Sequence, residues 1–465
     1  MNMVHLFTNN GYRVAVDSCS GSVHSLDDVS YDVISLFETK SEDEIVKELL
    51  AKYKDRPDVT EDDLRECAAD VRELKNGGVL FAEDEFRDLR PKDEKSPVKA
   101  LCLHVAHTCN LNCEYCFAAQ GKYSGGADRG KPALMSFDTA KASIDFLIRN
   151  SGSRRNLEVD FFGGEPLLNW DVVKRTVAYA RSVESGAGKN FRFTLTTNGV
   201  LLDDEVADFC NREMNNVVLS LDGRREVHDR FRKHCDGRGS YDEIVPKFRR
   251  FVERRGGKSY YVRGTFTHMN TDFTNDLFHM AALGFRELSM EPVVCAPSDP
   301  YALTEEDLPV LFEQYDLLAR EMLRREREGD PITFYHFMVD LTEGPCIYKR
   351  ITGCGSGFEY MAVTPWGELF PCHQFVNDPS YSLGSVWDGV TNTELSERFR
   401  RSNVYSHPEC ADCWARLWCS GGCAANAYHA TGDIDGVYEY GCRLFRHRME
   451  CAIMMNIARE DDGEK

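Results

Sequence analysis

Three thiols stand within eight residues of one another: Cys109, Cys113 and Cys116, in the run CNLNCEYC. Four thiolates normally saturate an iron–sulfur cube. A local set of three leaves one iron with an open position, and an open position is what separates a reactive metal site from a structural one. Zinc is the alternative occupant. It needs a fourth ligand close by, and the next cysteine is Cys210, far along the chain. A second run of cysteines lies near the C-terminus. Cys354 is followed by twelve residues, Gly367, four residues and Cys372; then come Cys410-x2-Cys413-x5-Cys419-x3-Cys423, and finally Cys442. Cys346 is one further candidate ligand. Here too zinc is the competing occupant, although it has no evident use beside a redox cluster.

The elements that must position these thiols divide the 465 residues into regions. Residues 1–90 read as a self-contained unit. MVHLFT and YRVAVD are strands joined through Asn9-Asn10-Gly11, a hairpin signal. Three helices follow: one with Val29, Val33 and Leu36 on a shared face, one opened by a Ser41–Glu44 capping box, and one capped by Thr60 that buries Leu64, Ala68 and Val71. VLF at 79–81 reads as a closing strand. This order predicts a winged-helix-like module. With 13 basic against 23 acidic residues in positions 1–95, it would repel a nucleic acid. Residues 91–99, the end of the charged stretch RDLRPKDEKSPVK, read as a linker.

From residue 100 to 303, strands and helices alternate. LCLHVA, LEVDFF, FRFTLTT, VVLSLD, YYVRGTFT and ELSMEPV are the strands, an order that predicts parallel βαβ units and a partial (βα)6 barrel. The cysteine triplet follows the first of them, at the strand end where such folds keep their chemistry. The second strand ends in Gly163-Gly164-Glu165-Pro166, the third in Thr196-Thr197-Asn198-Gly199, the fourth in Ser220-Leu221-Asp222-Gly223. Glycines there admit a close-lying ligand, and a carboxylate beside them suits an ammonium group. Residues 304–344 read as a connecting segment with a long polar helix over Glu305–Arg327. Residues 345–455 read as a metal-organised domain and 456–465 as a tail. The Gln120–Ala133 stretch, rich in glycine, reads as a surface loop.

Composition limits the function classes. A net charge of −20, from 56 basic and 76 acidic residues, disfavours nucleic acid and anionic membrane as partners. No run approaches a membrane span, and MNMVHLFTNN does not read as an export signal. The expectation is a cytoplasmic protein whose clustered cysteines bind metal rather than pair as disulfides.

The C-x3-C-x-aromatic-C pattern, with Tyr115 as the aromatic, resembles the radical S-adenosylmethionine (SAM) enzymes, and GGEP one βα unit later strengthens the likeness. The resemblance implies that the free iron takes SAM, that Gly163, Gly164 and Glu165 hold its amine, and that Asn198, Ser220, Asp222 and Arg263 touch its ribose and carboxylate. The C-terminal spacing resembles the SPASM domain of peptide and protein maturases, which holds two auxiliary [4Fe–4S] clusters and so brings the total to three. By correspondence Cys410, Cys413, Cys419 and Cys442 close one; Cys354, Cys372 and Cys423 hold the other. Cys346 completes that second set, or its absence leaves an iron open to a substrate thiolate. The N-terminal element order resembles a peptide-recognition element that pairs a leader peptide with a sheet edge. The whole chain, through LCLHVAHTCNLNCEYCFAAQGKY and RRNLEVDFFGGEPLLNW, is similar to the maturases of SCIFF peptides. These install thioether cross-links, often Cys to Thr, in a cysteine-rich ribosomal precursor. The implied chemistry needs an external one-electron reductant such as ferredoxin or flavodoxin. It proceeds through a 5′-deoxyadenosyl radical that takes a substrate hydrogen before sulfur bonds to the carbon. Carbon–carbon cross-linking and anaerobic sulfatase maturation are the related alternatives.

Overall fold

The computed structural model describes residues 3–89, 96–121, 123, 133–341, 346–376 and 378–463. Most of the Gln120–Ala133 loop and the start of the linker lie outside them. The N-terminal unit is a three-stranded antiparallel sheet, β1 (Val4–Asn9), β2 (Tyr12–Asp17) and β3 (Val23–Leu26), followed by helices Asp28–Phe37, Glu42–Lys52 and Glu61–Asn76. The Ser41–Glu44 capping box and the Thr60 cap both form. The third strand is not the expected VLF. After Gly77 the chain folds back, with Val79 N and Leu80 N both donating to Leu74 O, and Leu80 drops into the helical core. The short VHSL segment pairs with β2 instead.

The catalytic-size sheet comprises β4 (Ala100–His107), β5 (Ala133–Leu134), β6 (Asn156–Gly163), β7 (Asn190–Thr197), β8 (Asn216–Ser220), β9 (Ser259–Phe266), β10 (Glu287–Pro292), β11 (Thr333–Phe334), β12 (Tyr360–Val363), β13 (Glu368–Phe370), β14 (Gly384–Ser385) and β15 (Gly389–Val390). All six strands expected for the barrel are parallel neighbours in the order β10-β9-β8-β7-β6-β4, so the partial barrel forms, with helices between its strands. The path runs on at both ends, to β11 on one side and to β12–β15 on the other, and does not close into a ring.

Side-chain alternation explains how this sheet makes a site. Along β6, Leu157, Val159 and Phe161 are buried beneath the helices, and along β7 Phe191, Phe193 and Leu195 are. The opposite face carries Asp160, Phe162, Thr194, Thr196, Arg263 and Glu291, which stay partly accessible within the curve of the sheet. Parallel strands packed on both faces are usually apolar throughout; polar residues at every second position mark the inner face as a lumen.

The connecting helix, Leu308–Arg327, is not the polar one expected. It buries Leu308, Leu311, Tyr315, Leu318, Ala319, Met322 and Leu323. Nor is the C-terminus a loose tail: one helix runs Glu439–Gly463, with Ile457 and Ala458 buried. The N-terminal unit is docked rather than tethered. The Arg416 guanidinium, wholly buried, meets Asp84 Oδ2 at 3.0 Å and donates to Ser18 Oγ at 2.9 Å. His5 stacks on Trp414 at 4.1 Å, and Arg87 pairs with Asp412 at 2.7 Å. No helix among the described residues is long and apolar enough to cross a membrane.

Candidate active site at the C-terminal ends of the barrel strands

The triplet loop leaves β4 at Thr108 and is held on two sides. On one, Asn112 N donates to Lys233 O at 2.7 Å and Glu114 N to Phe231 O at 3.1 Å. On the other, the glycine pair ending β6 lies flat against it: Gly164 N donates to Ala106 O at 2.7 Å and Glu165 N to Thr108 O at 2.9 Å. The approach is so close that a Cβ on Gly164 would lie 2.0 Å from Thr108 O, and one on Gly163, at φ 125°, 2.4 Å from Ala106 O. Glycine is required here because backbone packs on backbone.

Cys109, Cys113 and Cys116 lie close enough to act on one another electrostatically. Leu111 N donates to Cys109 Sγ at 3.5 Å and Gln120 N to Cys116 Sγ at 3.4 Å, contacts that suit metal-bound sulfur. Burial pushes the Cys109 thiol well up and Cys113 to about 12. A cationic metal would hold such buried sulfurs as thiolates. Among the described residues no three of these sulfurs lie mutually within 4.8 Å. Thiolates around one tetrahedral zinc stand only about 3.8 Å apart, so the spread fits a cluster better than a single ion. Asn110 Nδ2, inside the loop, is buried with no hydrogen-bond partner among the described residues, an unused donor beside the expected SAM position.

Glu165 is buried beneath the loop. Its carboxylate accepts from Asn198 N at 2.8 Å, Thr197 Oγ1 at 2.8 Å and Leu167 N at 3.0 Å. Burial still pushes it up to about 7. A carboxylate has about four acceptor sites, so one remains for an ammonium group, whose charge would keep the acid ionised. The Asn198 side chain turns back to the loop, donating to Asn110 Oδ1 at 2.8 Å and reaching Cys109 Sγ at 3.6 Å. Ser220, half-buried, ends β8.

Asp222 and Arg263 each have a protein partner. The Asp222 carboxylate, fully buried, accepts from Tyr115 Oη at 2.5 Å, Arg232 Nε at 2.9 Å and Thr265 N at 3.1 Å. It is thus a strut that ties the aromatic of the cysteine loop to β9. Arg263 pairs with Glu291, on the neighbouring strand β10, at 3.1 Å. Sequence reasoning missed Arg232 and Glu291, which carry no motif. It also missed Asp160, whose signal was a carboxylate followed by two phenylalanines in a strand, two residues after Glu158. His104 and His107, both buried, bond each other at 3.2 Å and pack on Tyr123.

The C-terminal cysteines gather into two groups. Cys410, Cys413, Cys419 and Cys442 lie within electrostatic reach of one another, as do Cys354, Cys372 and Cys423. Cys346 is exposed at the start of helix Ile347–Thr352. An aromatic bridge joins the loop to the second group: His373, next to Cys372, packs on Phe117, next to Cys116, at 5.2 Å and on Phe162 at 5.1 Å. Glu291 is within electrostatic reach of Cys423. Of the remaining cysteines, Cys19, Cys102, Cys210 and Cys451 are buried, Cys67 and Cys295 half-buried, and Cys235 exposed.

In the lumen, burial first and Glu158 second push Asp160 up to about 7, against a Thr194 hydrogen bond. The fold therefore favours the protonated acid. The stability it contributes is complete below the unfolded value near 4 and is lost as pH rises through about 7. Asp160→Asn is expected to gain on the parent by about 2–3 kcal/mol between pH 5 and 8, levelling above. Urea midpoints across that range check it.

Three family models match the chain. "Radical SAM superfamily" covers residues 103–281, "Coenzyme PQQ synthesis protein D (PqqD)" residues 13–75, and "Iron-sulfur cluster-binding domain" (SPASM) residues 354–414. The serine-type anaerobic sulfatase-maturating enzyme of Bacteroides thetaiotaomicron is 23% identical over 379 residues, 75% of this chain and 87% of its own. Native anSMEcpe with bound AdoMet and Kp18Cys peptide superposes with TM-score 0.64 at 20% identity, over 78% of this chain and 99% of that one. Streptococcus suis SuiB bound to precursor peptide SuiA does so with TM-score 0.51 at 14% identity, over 93% and 97%. With the cysteine loop, the glycine cradle and the partial barrel in place, the chain carries a radical SAM domain, set between an N-terminal PqqD-type unit and a C-terminal SPASM domain.

Proposed function

We propose that this protein is a peptide maturase that installs Cys-to-carbon thioether cross-links, Cys to Thr among them, in a cysteine-rich ribosomal precursor of the SCIFF type. The reading rests on one observation: two sulfur groups, the 109–116 triplet and the Cys354–Cys372–Cys423 set, flank one polar lumen and are linked by the Phe117–His373–Phe162 stack. A set of three sulfurs leaves a place for a substrate thiolate, whereas Cys346 as a fourth ligand would close it. Bound at the triplet, a [4Fe–4S] cluster with SAM would supply an oxidant able to take hydrogen from an unactivated carbon. Two auxiliary clusters would occupy the remaining cysteines.

The chain's own residues position and shield. Gly163 and Gly164 admit the methionyl end of SAM, Glu165 takes its ammonium, and Asn198, Asn110 and Ser220 offer polar contacts around it. Asp222 holds Tyr115 and so keeps the loop in register. Arg263 and Glu291 present opposite charges to a peptide backbone crossing the lumen. The PqqD-type unit would hold the leader and raise the local concentration of the core; a bound precursor peptide in SuiB supports a peptide as partner. Ferredoxin or flavodoxin would provide the electron.

Sulfatase maturation is the second reading, favoured by the Bacteroides relative. The leader-reading unit weighs against it. Mass spectrometry of a co-expressed cysteine-rich precursor, after thiol alkylation, separates them. Thioether formation removes two hydrogens and one alkylatable thiol per event. Loss of two hydrogens with every thiol still alkylated means a carbon–carbon link. A precursor left unchanged beside a sulfatase whose active-site residue is oxidised means the second reading.

A further inference from the structure

Away from the triplet loop in sequence, three elements converge on a compact set of ligand-type atoms. Asp316 lies on the connecting helix, and His447 and Cys451 sit four residues apart on one face of the C-terminal helix. Among the described residues theirs is the one group of three His, Cys, Asp or Glu ligand atoms all within 4.8 Å of one another. Asn9, in the β1–β2 hairpin of the N-terminal unit, completes the set. Asp316 Oδ1 lies 2.9 Å from His447 Nε2, 3.3 Å from Cys451 Sγ and 2.6 Å from Asn9 Nδ2, and that amide lies 3.6 Å from Cys451 Sγ. The ligand atoms around a tetrahedral zinc, with bonds of about 2.0–2.3 Å, stand about 3.3–3.7 Å apart.

We propose that Asp316, His447 and Cys451 bind one divalent zinc ion, with the Asn9 side-chain carbonyl as fourth ligand after a half-turn of its amide. Three arguments carry this. Three donors converge on a single carboxylate oxygen that has two lone pairs, a crowding that a central cation relieves. His447 turns its second nitrogen, Nδ1, toward Glu450 Oε2 at 3.4 Å, and Glu450 Oε1 is in turn held by His5 Nε2 at 2.7 Å; a carboxylate behind a histidine is the usual support of a metal-bound imidazole. The charges also balance: one thiolate and one carboxylate neutralise the ion, and the fully buried Cys451 has the His447 ring against it. Without an ion the same atoms form a hydrogen-bonded cluster in which His447, Cys451 and Asn9 all donate to Asp316 Oδ1, and zinc uptake decides between the two. A zinc ion here joins the N-terminal unit, the connecting helix and the C-terminal helix at one point. The inference does not depend on the thioether reading.

The test uses the full chain, purified without oxygen with its iron loaded, incubated with zinc chloride and desalted. Elemental analysis is expected to give about one zinc per chain with iron unchanged, and X-ray absorption at the zinc edge a single sulfur among nitrogen and oxygen ligands. Cys451→Val, which keeps the buried volume, and His447→Gln should each lose the zinc, and the zinc-dependent rise in melting temperature, while keeping their iron. Zinc below about a tenth of an equivalent, a sulfur-rich shell, or zinc retained in Cys451→Val would overturn the proposal.

Discussion

Gly164→Ala is expected to lower SAM cleavage more than about 100-fold while leaving most of the chain folded, because displacing a reacting group by even about 1 Å has effects of that size. The added methyl would lie 2.0 Å from Thr108 O and 2.5 Å from Thr108 C, and 3.2 Å from Cys109 N. All three are backbone atoms, so no side chain can swing aside. Relief requires moving either the strand end that carries Glu165 or the start of the loop that carries Cys109. Overpacking of this kind costs about 1–3 kcal/mol, a modest part of the stability of a chain this long. The damage falls on geometry instead. 5′-Deoxyadenosine formation under reducing, oxygen-free conditions and iron content of the purified protein report it directly. Gly257→Ala, with nothing within 4 Å of its added Cβ, is the control and should leave both unchanged. Equal losses in the two variants would mean that the close approach of β6 to the loop has no part in the site.

The second large effect is expected at Asp222. Asp222→Ala removes the shared acceptor of Tyr115, Arg232 and Thr265, in a place where the carboxylate is wholly buried and the Arg232 side chain is 13% exposed. Stranding a buried guanidinium costs about 3–5 kcal/mol. The loop should also lose its grip on Tyr115, so iron content should fall with stability. The pair Asp222→Asn with Arg232→Met takes away the stranded charge and is expected to recover part of the loss relative to Asp222→Ala, measured by chemical denaturation. If the double variant is no more stable than Asp222→Ala, the ion pair is not what holds the loop.

Much of this architecture was readable from local pattern. The six barrel strands and the caps at Ser41 and Thr60 are short-range signals, set by side-chain period and by hydrogen bonds within a turn. The triplet and GGEP were readable because their chemistry requires contiguous residues. What was not readable depends on distant pairing. VLF has strand composition, yet Leu80 is drawn into a helical core, while the less apolar VHSL wins the edge of β2 because the turn after Asp17 brings it there. β12 pairs with β4 across more than 250 residues of chain, and no local pattern announces it. The ion pairs of Asp222 with Arg232, ten residues on, and of Arg263 with Glu291 of β10 carry no local signal either.

The sheet that bears the site is an arc whose path has two ends, β11 and β15, rather than a ring. A ring can be entered only along its axis, so a polymer must be threaded by a free end. An arc has a side. If the protein is the peptide maturase proposed, a precursor held at the recognition unit would be laid in sideways, reached at an interior residue and withdrawn without passing a terminus through the enzyme. Under the reading proposed above, a bond already formed between two side chains would then be no topological obstacle to the next, and a precursor could receive its links in any order that its own conformation allows.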